Sequence, residues 1–359
     1  MLTQVVRIDP HRIDVAAISR AGEILRDGGL VAFPTETVYG LGCNALDERA
    51  VERVFQAKGR PADDPLIVHV ASGWPLTGVV DGSASALVAQ VGRLHWPGPL
   101  TLVAPRSPAI APAVSAGLGT VGVRCPAHPI AAALIEAAGV PVAAPSANRF
   151  GYVSPTSAEH VLDGLDGRLE MVIDGGRTTH GIESTVAALE AGELVVLRHG
   201  AVTLEALQQS LDGVVRVRAA DRHEQDARAP GHQRRHYSPR SPTIALRASA
   251  LTSSLPESLT TRTGIVYLGY EDRRPGLPAG WRFESLGRIA DVEGIAFDLY
   301  DRLRRHDAPH AGEFILAELT EVAGLGLAID DRLVRAGGGR VASTALQLEE
   351  ALRELTARE

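Results

Sequence analysis

Over the first 200 residues, short apolar runs alternate with helical periodicities, and most runs break off into a turn marked by Gly or Pro. A chain patterned this way must interleave strands and helices, which points to an α/β layer architecture. Ile13, Ala17, Ile18, Ala21, Ile24 and Leu25 recur at helical spacing up to Gly28-Gly29, and Leu30–Phe33 follows as a short buried strand. Asp47 reads as an N-cap for a helix carrying Ala50, Val51, Val54 and Phe55 on one face. Strands are expected at Leu66–Val70, Thr101–Ala104, Thr120–Arg124, Val140–Ala144 and Met171–Asp174, and helices at Ser83–Leu94 and at Ile130–Ala138, stopped by Gly139. Ser184–Leu189 and Leu194–Arg198 flank a tight turn and read as a hairpin. Helices interleaved with strands that end in a hairpin predict a twisted mixed sheet.

From Arg216 to Pro242 the periodicity lapses among Pro230, Gly231, Pro239, Pro242 and many charges, so an extended linker is expected. Beyond it, Thr243–Leu246 and Gly264–Leu268 read as strands. Val292–Arg305, Glu313–Val322 and the stretch from Ala345 read as helices. The expected organisation is a first domain over 1–212, a linker over 213–242, and a smaller C-terminal α/β (Rossmann-like) domain over 243–359.

Composition narrows the class. Apolar residues make up 45% and charged residues 22% of 359, enough to bury a core and too apolar for a disordered chain. No run of about 18 apolar residues occurs, so no membrane helix is expected. Met1–Pro10 lacks a basic-then-apolar leader pattern, which predicts a cytoplasmic protein. Two cysteines, Cys43 and Cys125, supply neither a disulfide framework nor a zinc site. Residues 213–242 hold 7 Lys+Arg against 3 Asp+Glu, whereas 1–212 hold 15 against 22, so a basic island follows an acidic body. Such an island fits either a solvated linker or a contact for phosphate or nucleic acid. The chain has 35 arginines and a single lysine, Lys58, which suggests a place where a compact ammonium serves and a guanidinium fork does not.

No Walker loop, G-x-G-x-x-G, H-E-x-x-H or G-x-S-x-G is present. The chemistry must come from polar clusters at strand ends, where α/β folds place ligands. Thr35, Glu36 and Thr37 follow a buried strand, as capping hydroxyls or as a ligand loop. Lys58 and Arg60 close a helix, favoured there by its dipole in any case, or aimed at phosphates. His69 lies on a strand, as a packed histidine or a site residue. Thr120, Gly122 and Arg124 share one strand face, where Arg124 can fork onto a substrate carboxylate or a buried Asp or Glu. Ala144, Ser146 and Asn148 form a small-residue turn that lets a ligand approach the backbone. Ser184 follows Glu183, and Arg198 ends the hairpin.

Taken in order, P-T-E-T-V-Y-G-L-G, K-G-R-P, P-G-P-L-T (Pro97–Thr101), V-R-C-P-x-H-P (Val123–Pro129), A-P-S-A-N (Ala144–Asn148), S-P-T (Ser154–Thr156) and E-S-T-V resemble the YrdC-like family over about residues 10–205. The linker and second domain resemble its long, two-domain form. The resemblance implies a catalytic domain built on a twisted mixed sheet around a concave cavity. It implies an enzyme, a nucleotidyltransferase, that joins L-threonine, bicarbonate and ATP into L-threonylcarbamoyl-adenylate and pyrophosphate. A separate transferase complex then passes the threonylcarbamoyl group to tRNA. By motif, Lys58, Arg60, Ser146 and Asn148 match the catalytic set that holds the nucleotide phosphates and Mg²⁺. Thr35, His69, Arg124, Ala144 and Ser184 match the threonine pocket, with Arg124 on the carboxylate. Thr120, Ser154 and Arg198 match further ATP contacts, and His236 and Tyr237 match a linker segment that folds over the nucleotide. The family linker P-G-M-K-Y-x-H-Y-x-P differs here, because His232, Gln233 and Arg234 replace Met, Lys and Tyr. Mg²⁺ is expected to arrive with ATP and not in a dedicated protein site.

Two rival classes have their own signatures. A carbamoyl-adenylate-forming carbamoyltransferase would carry a larger second catalytic domain with a metal cluster, and the region after 243 is short. An RNA-binding module would need many cationic phosphate contacts, which the acidic first 212 residues do not offer. Direct tRNA binding is therefore expected to be weak or absent, and no membrane partner is expected.

Overall fold

The computed structural model describes residues 2–190, 192–221, 235–251, 254–307 and 313–357. The chain divides into two units, Met1–Phe150 with Ser154–His232, and Gly151–Val153 with Gln233–Glu359.

The first unit contains β1 (Gln4–Arg7), α1 (Val15–Arg26), β2 (Val31–Phe33), β3 (Gly40–Asn44), α2 (Glu48–Lys58), β4 (Ile67–His69), α3 (Gly82–His95), β5 (Leu100–Pro105), β6 (Thr120–Arg124) and α4 (Pro129–Ala138). It continues with β7 (Val142–Ala143), α5 (Ala158–Leu165), β8 (Met171–Asp174), β9 (Thr185–Glu190), β10 (Glu193–Arg198), α6 (Leu204–Ser210) and β11 (Arg216–Ala219). Its strands form one sheet in the order β1-β8-β2-β3-β7-β4-β6-β5-β9-β10-β11. Parallel pairs such as β4–β6 and β5–β9 alternate with antiparallel pairs such as β5–β6 and β9–β10, so the sheet is mixed.

Strand alternation sorts the core. Val31 and Phe33 pack on one face with Ile18 and Leu25 of α1 and Leu134 and Ile135 of α4. Ala32 faces the other way, toward Val54 and Phe55 of α2. On that second face Val68, Leu100, Leu102, Val121 and Val123 join the same core. Alternation therefore turns Ile67, His69, Thr101, Thr120 and Arg124 toward the opposite face of β4, β5 and β6.

The second unit contains β12 (Thr243–Leu246), α7 (Glu257–Thr260), β13 (Ile265–Gly269), β14 (Trp281–Ser285), α8 (Val292–Arg305), β15 (Phe314–Glu318), α9 (Leu325–Ala336), β16 (Val341–Ala342) and α10 (Ala345–Thr356). Its sheet has the order β14-β13-β15-β12-β16, and every pair is parallel. The central strands β12, β13 and β15 are buried along their whole length, which explains why they read as largely apolar runs, whereas the edge strand β14 is mostly part-exposed.

Two expectations are corrected. Glu313–Val322 is not a helix. Its Phe314–Glu318 portion is the strand β15, wholly buried between β13 and β12. A short apolar run has no period that separates a buried strand from a buried helix. Arg216–Ala219, expected to open an extended linker, is a strand that pairs in parallel with β10. Alternating Arg and small residues hid it, because only Val217 faces the core.

Candidate active site

The site begins with one row of side chains across four neighbouring strands. β4 pairs with β6 so that His69 stands beside Arg124. Leu102 of β5 pairs with Val123, which brings the preceding Thr101 alongside Arg124. The Thr101 hydroxyl lies 2.9 Å from that of Ser184, just before β9. Arg198, at the end of β10, donates to the Ser184 carbonyl through Nη2 at 2.9 Å and through Nε at 3.2 Å. Gly122 lies on the same face, and a Cβ there would come within 3.2 Å of Thr101 Cγ2. Its missing side chain keeps the floor between Thr120 and Arg124 low.

The loop after β2 closes over this row. Thr35 Oγ1 donates to the Val38 carbonyl at 2.6 Å and lies 2.9 Å from Thr37 Oγ1. Arg124 Nη1 donates to Thr37 Oγ1 at 3.0 Å, Nε donates to the Gly98 carbonyl at 3.2 Å, and Nη2 lies 2.6 Å from Glu36 Oε1. Arg124 and Glu36 side chains are only 4% and 7% exposed, so the ion pair is buried. Burial works to raise the Glu36 pKa, but Arg124 and the Ala127 N–H outweigh it and hold the carboxyl below its ordinary range. His69 shows the reverse. Burial, then the Arg124 charge, lower its pKa to about 3, so the ring is neutral near neutral pH. Its Nδ1 lies 3.2 Å from the Ile67 carbonyl, which accepts when that nitrogen carries the ring proton.

A second group forms around Lys58. Asp47 caps the start of α2 by accepting from the Arg49 N–H at 2.9 Å. Gly59 ends the helix in the left-handed region, at φ 64°, and so turns the chain immediately after Lys58. Lys58 Nζ donates to the main-chain carbonyls of Ser146 and Asn148, each at 2.5 Å. An ammonium has three donors, so one remains for an incoming oxygen. Burial and the neighbouring Arg60 push the Lys58 pKa well below its ordinary value, against the pull of Asp64. Arg60 itself is engaged within its own turn. It pairs with Asp64 at 2.9 Å and donates to the carbonyls of Asp64 and Pro65 at 3.0 and 2.7 Å.

Ala144 joins the two groups. Its N–H donates to the Ile67 carbonyl at 2.9 Å, on the His69 side, and the chain then runs on to Ser146 and Asn148 at Lys58. Gly40 forms a bridge with Ser146. Ser154 Oγ donates to Glu183 Oε1 at 2.7 Å, beside Ser184 in sequence. Thr120, half-buried, lies at the far end of β6 from Arg124, on the order of 13 Å along the strand.

The structure thus gathers Thr35, His69, Arg124, Ala144, Ser184 and Arg198 along one row, and Lys58, Ser146 and Asn148 beside it. His236 and Tyr237 belong to the second unit. There the Tyr237 ring stacks on Tyr300 with centroids 5.6 Å apart and lies 5.5 Å from the Arg332 guanidinium. His232, Gln233 and Arg234 lie outside the described residues. Sequence reading placed Glu36 in a candidate loop without naming its partner, and gave no role to Thr101. Each sits inside a quoted motif, and each is the nearest polar partner of a predicted site residue. Among the described residues no three His, Cys, Asp or Glu side chains are placed to hold a metal ion.

A mixed sheet whose strand ends carry one row of buried cations and hydroxyls, followed by a smaller parallel-sheet unit, defines an α/β enzyme of the YrdC-like class. Residues 23–200 match a family model described as "Telomere recombination", and residues 202–338 match one described as "Threonylcarbamoyl-AMP synthase, C-terminal domain". The threonylcarbamoyl-AMP synthase of Bacillus subtilis is 41% identical over 336 residues, covering 90% of this chain and 94% of that protein. The one from Pyrococcus abyssi is 42% identical over 338 residues, covering 92% and 97%. A crystal structure of P. abyssi Sua5 complexed with L-threonine superposes with a TM-score of 0.81 at 39% identity, covering 95% of this chain and 100% of that one. The chain belongs to the threonylcarbamoyl-AMP synthase family. Among the described residues, no helix is long and apolar enough to cross a membrane.

Proposed function

We infer that this chain joins L-threonine, bicarbonate and ATP to give L-threonylcarbamoyl-AMP and pyrophosphate. The observation that carries the reading is the buried Arg124 guanidinium, placed in one row with His69, Thr101 and Ser184. It supports a pocket for a small carboxylate-bearing substrate, and the Lys58–Ser146–Asn148 group beside it supports a phosphate site.

The chemistry has two steps. The threonine amine, in its neutral form, attacks the carbon of bicarbonate with loss of water, or of CO₂ with loss of a proton, giving a carbamate. A carbamate oxygen then attacks the α-phosphorus of ATP, and pyrophosphate leaves. Arg124 holds the carboxylate, with Thr35, His69, Ala144 and Ser184 shaping the pocket. Lys58, with its remaining N–H, steadies the phosphates, and Thr120, Ser154 and Arg198 line the path of the nucleotide. The Arg60 guanidinium already bridges Asp64 and Pro65, so its first contribution is to hold the turn that follows Lys58. His69 is neutral and low in pKa, so it serves as a hydrogen-bonding wall and not as a base. Catalysis then rests on positioning and charge stabilisation.

The residues fit a Mg²⁺ that enters bound to ATP. The side-chain oxygens of Ser146 and Asn148, whose main-chain carbonyls are taken by Lys58, suit a hard cation whose charge is met by phosphates. Bound there, the ion would neutralise developing phosphate charge. The product passes to a tRNA-modifying transferase complex in the cytoplasm, with no strong tRNA contact by this chain itself.

Pyrophosphate release by the purified chain tests the reading, with ATP and Mg²⁺, with and without L-threonine and bicarbonate, and with carbamoyl phosphate as the rival donor. Release that needs threonine and bicarbonate together is expected. Release driven by carbamoyl phosphate alone would transfer the chain to the carbamoyl-transfer class.

A further inference from the structure

We propose that Glu36 is the counter-charge for the α-ammonium of the amino-acid substrate, and so the residue that distinguishes an amino acid from a plain hydroxy acid. The proposal rests on the reading of Arg124 as the carboxylate anchor.

Arg124 and Glu36 form a neutral pair that is nearly sealed from water. Arg124 has five N–H donors, and its contacts with Gly98, Thr37 and Glu36 leave others for a ligand. A carboxylate arriving alone would place a second negative charge beside Glu36 against a single guanidinium. In a low-dielectric site that is costly. A zwitterion avoids the cost, since it brings its own positive charge on the carbon next to the carboxylate. An amino acid held by Arg124 therefore carries its ammonium into the neighbourhood of the acid already paired with that arginine. The arrangement is charge-complementary to a zwitterion.

Glu36 is also fixed in place. Its main-chain carbonyl accepts from the His180 N–H at 2.8 Å and from Thr179 Oγ1 at 3.0 Å, and its carboxylate lies 2.6 Å from Arg124 Nη2. A backbone held at its carbonyl and a carboxylate paired with Arg124 keep the acid at the site when substrate enters. A carboxylate that merely filled the empty pocket would need freedom to leave. The other ionisable groups near this row are otherwise engaged, the buried acid Glu183 by accepting from Ser154 Oγ at 2.7 Å. His69 is neutral, and Lys58 is committed to the carbonyls of Ser146 and Asn148.

The test compares two ligands of one skeleton, L-threonine and 3-hydroxybutanoate, which lacks the amine. Binding to the full chain is measured by calorimetry with a non-hydrolysable ATP analogue present, in wild type and in Glu36→Gln. Threonine affinity is expected to fall by about tenfold or more, while 3-hydroxybutanoate binds the variant several-fold tighter than it binds wild type. Opposite movement of the two ligands is the signature. If both weaken together, Glu36 only supports Arg124 and the proposal fails. If both tighten, Glu36 is a competitor for the arginine and the proposal fails equally. Glu36→Asp keeps the charge and guards against a variant that does not fold. It is expected to retain the preference for threonine, and loss of that preference would overturn the proposal. If wild type binds no threonine, the pocket reading itself falls. If it binds threonine without the crossover, only the role of Glu36 falls.

Discussion

Lys58 and Ser146 lie 88 residues apart in the chain and are joined by a 2.5 Å hydrogen bond from the lysine ammonium to the serine carbonyl. The same ammonium reaches the Asn148 carbonyl, so the one lysine of the chain fixes the backbone of the small-residue turn. A guanidinium's planar fork does not match two carbonyls that converge on one compact Nζ. Lys58→Arg is expected to cut threonine- and bicarbonate-dependent pyrophosphate release by on the order of 100-fold or more. Lys58→Met should do the same and also leave both carbonyls unpaired, at about 1–3 kcal/mol of stability. Urea titrations of the two variants check the second number. A Lys58→Arg enzyme with ordinary turnover would show that charge alone, without the compact donor, suffices.

Arg124 has a partner whose burial decides what its removal does. Arg124→Met strands the Glu36 carboxylate in the interior, which typically costs about 3–5 kcal/mol. Activity and stability should therefore fall together. Adding Glu36→Gln removes the stranded charge, so the double variant should recover most of the lost stability and none of the activity. Equal stability of the single and double variants would mean that the pair is hydrated in solution and not sealed as described.

Much of the first unit was legible because local rules and tertiary demands agreed. The cap at Asp47, the left-handed stop at Gly139 and the alternation through Thr120–Arg124 all stand where sequence places them. β15 was not legible, since a strand covered on both faces carries no alternation to read. β11 was missed for the opposite reason, as a sheet-edge strand with one buried side chain and charged neighbours. In the site, motif order identified which residues matter but not their pairings. Glu36 looked like one polar residue in a hydroxyl-rich loop. Its meaning comes from Arg124, which only the sheet register brings to it. Arg60 shows the converse, a cation free to face phosphate in sequence but turned onto Asp64 by the Pro61–Pro65 loop.

Acid should weaken the fold through His69, alongside the other histidines whose pKa burial lowers. Its folded pKa is lowered to about 3 from 6.5, so the folded state resists the proton that the unfolded chain takes up. For a base with a depressed pKa, the associated stability is whole above about 6.5 and is lost as pH falls from there toward 3. The limiting slope for one such group is about 1.4 kcal/mol per pH unit. His69→Gln should flatten the stability profile between pH 6.5 and 4.5 relative to wild type. Below about 4.5 Glu36 joins, with the sign of an acid whose pKa is lowered, so its contribution is present above that pH and fades beneath it. Urea unfolding at several pH values separates the two. Parallel profiles for wild type and His69→Gln would show that His69 takes up a proton in the folded state.

In the second unit, Tyr237 holds a left-handed backbone, at φ 59°, that a β-carbon disfavours by about 1–2 kcal/mol. What offsets this is the ring. It is 1% exposed, stacked on Tyr300 and covered by the Arg332 guanidinium. Tyr237→Ala keeps the strained φ and removes the packing, so a loss of about 3–5 kcal/mol is expected. Tyr237→Gly also removes the ring but relieves the backbone, so it should be the more stable of the two variants, reversing the usual order of Ala over Gly. Tyr300→Ala removes the other half of the stack, and its effect should be less than additive with Tyr237→Ala, because one contact is counted in both. A Tyr237→Gly variant less stable than Tyr237→Ala would mean that the left-handed turn is not retained in solution. Strict additivity of the two Ala substitutions would mean that the rings stabilise the unit separately.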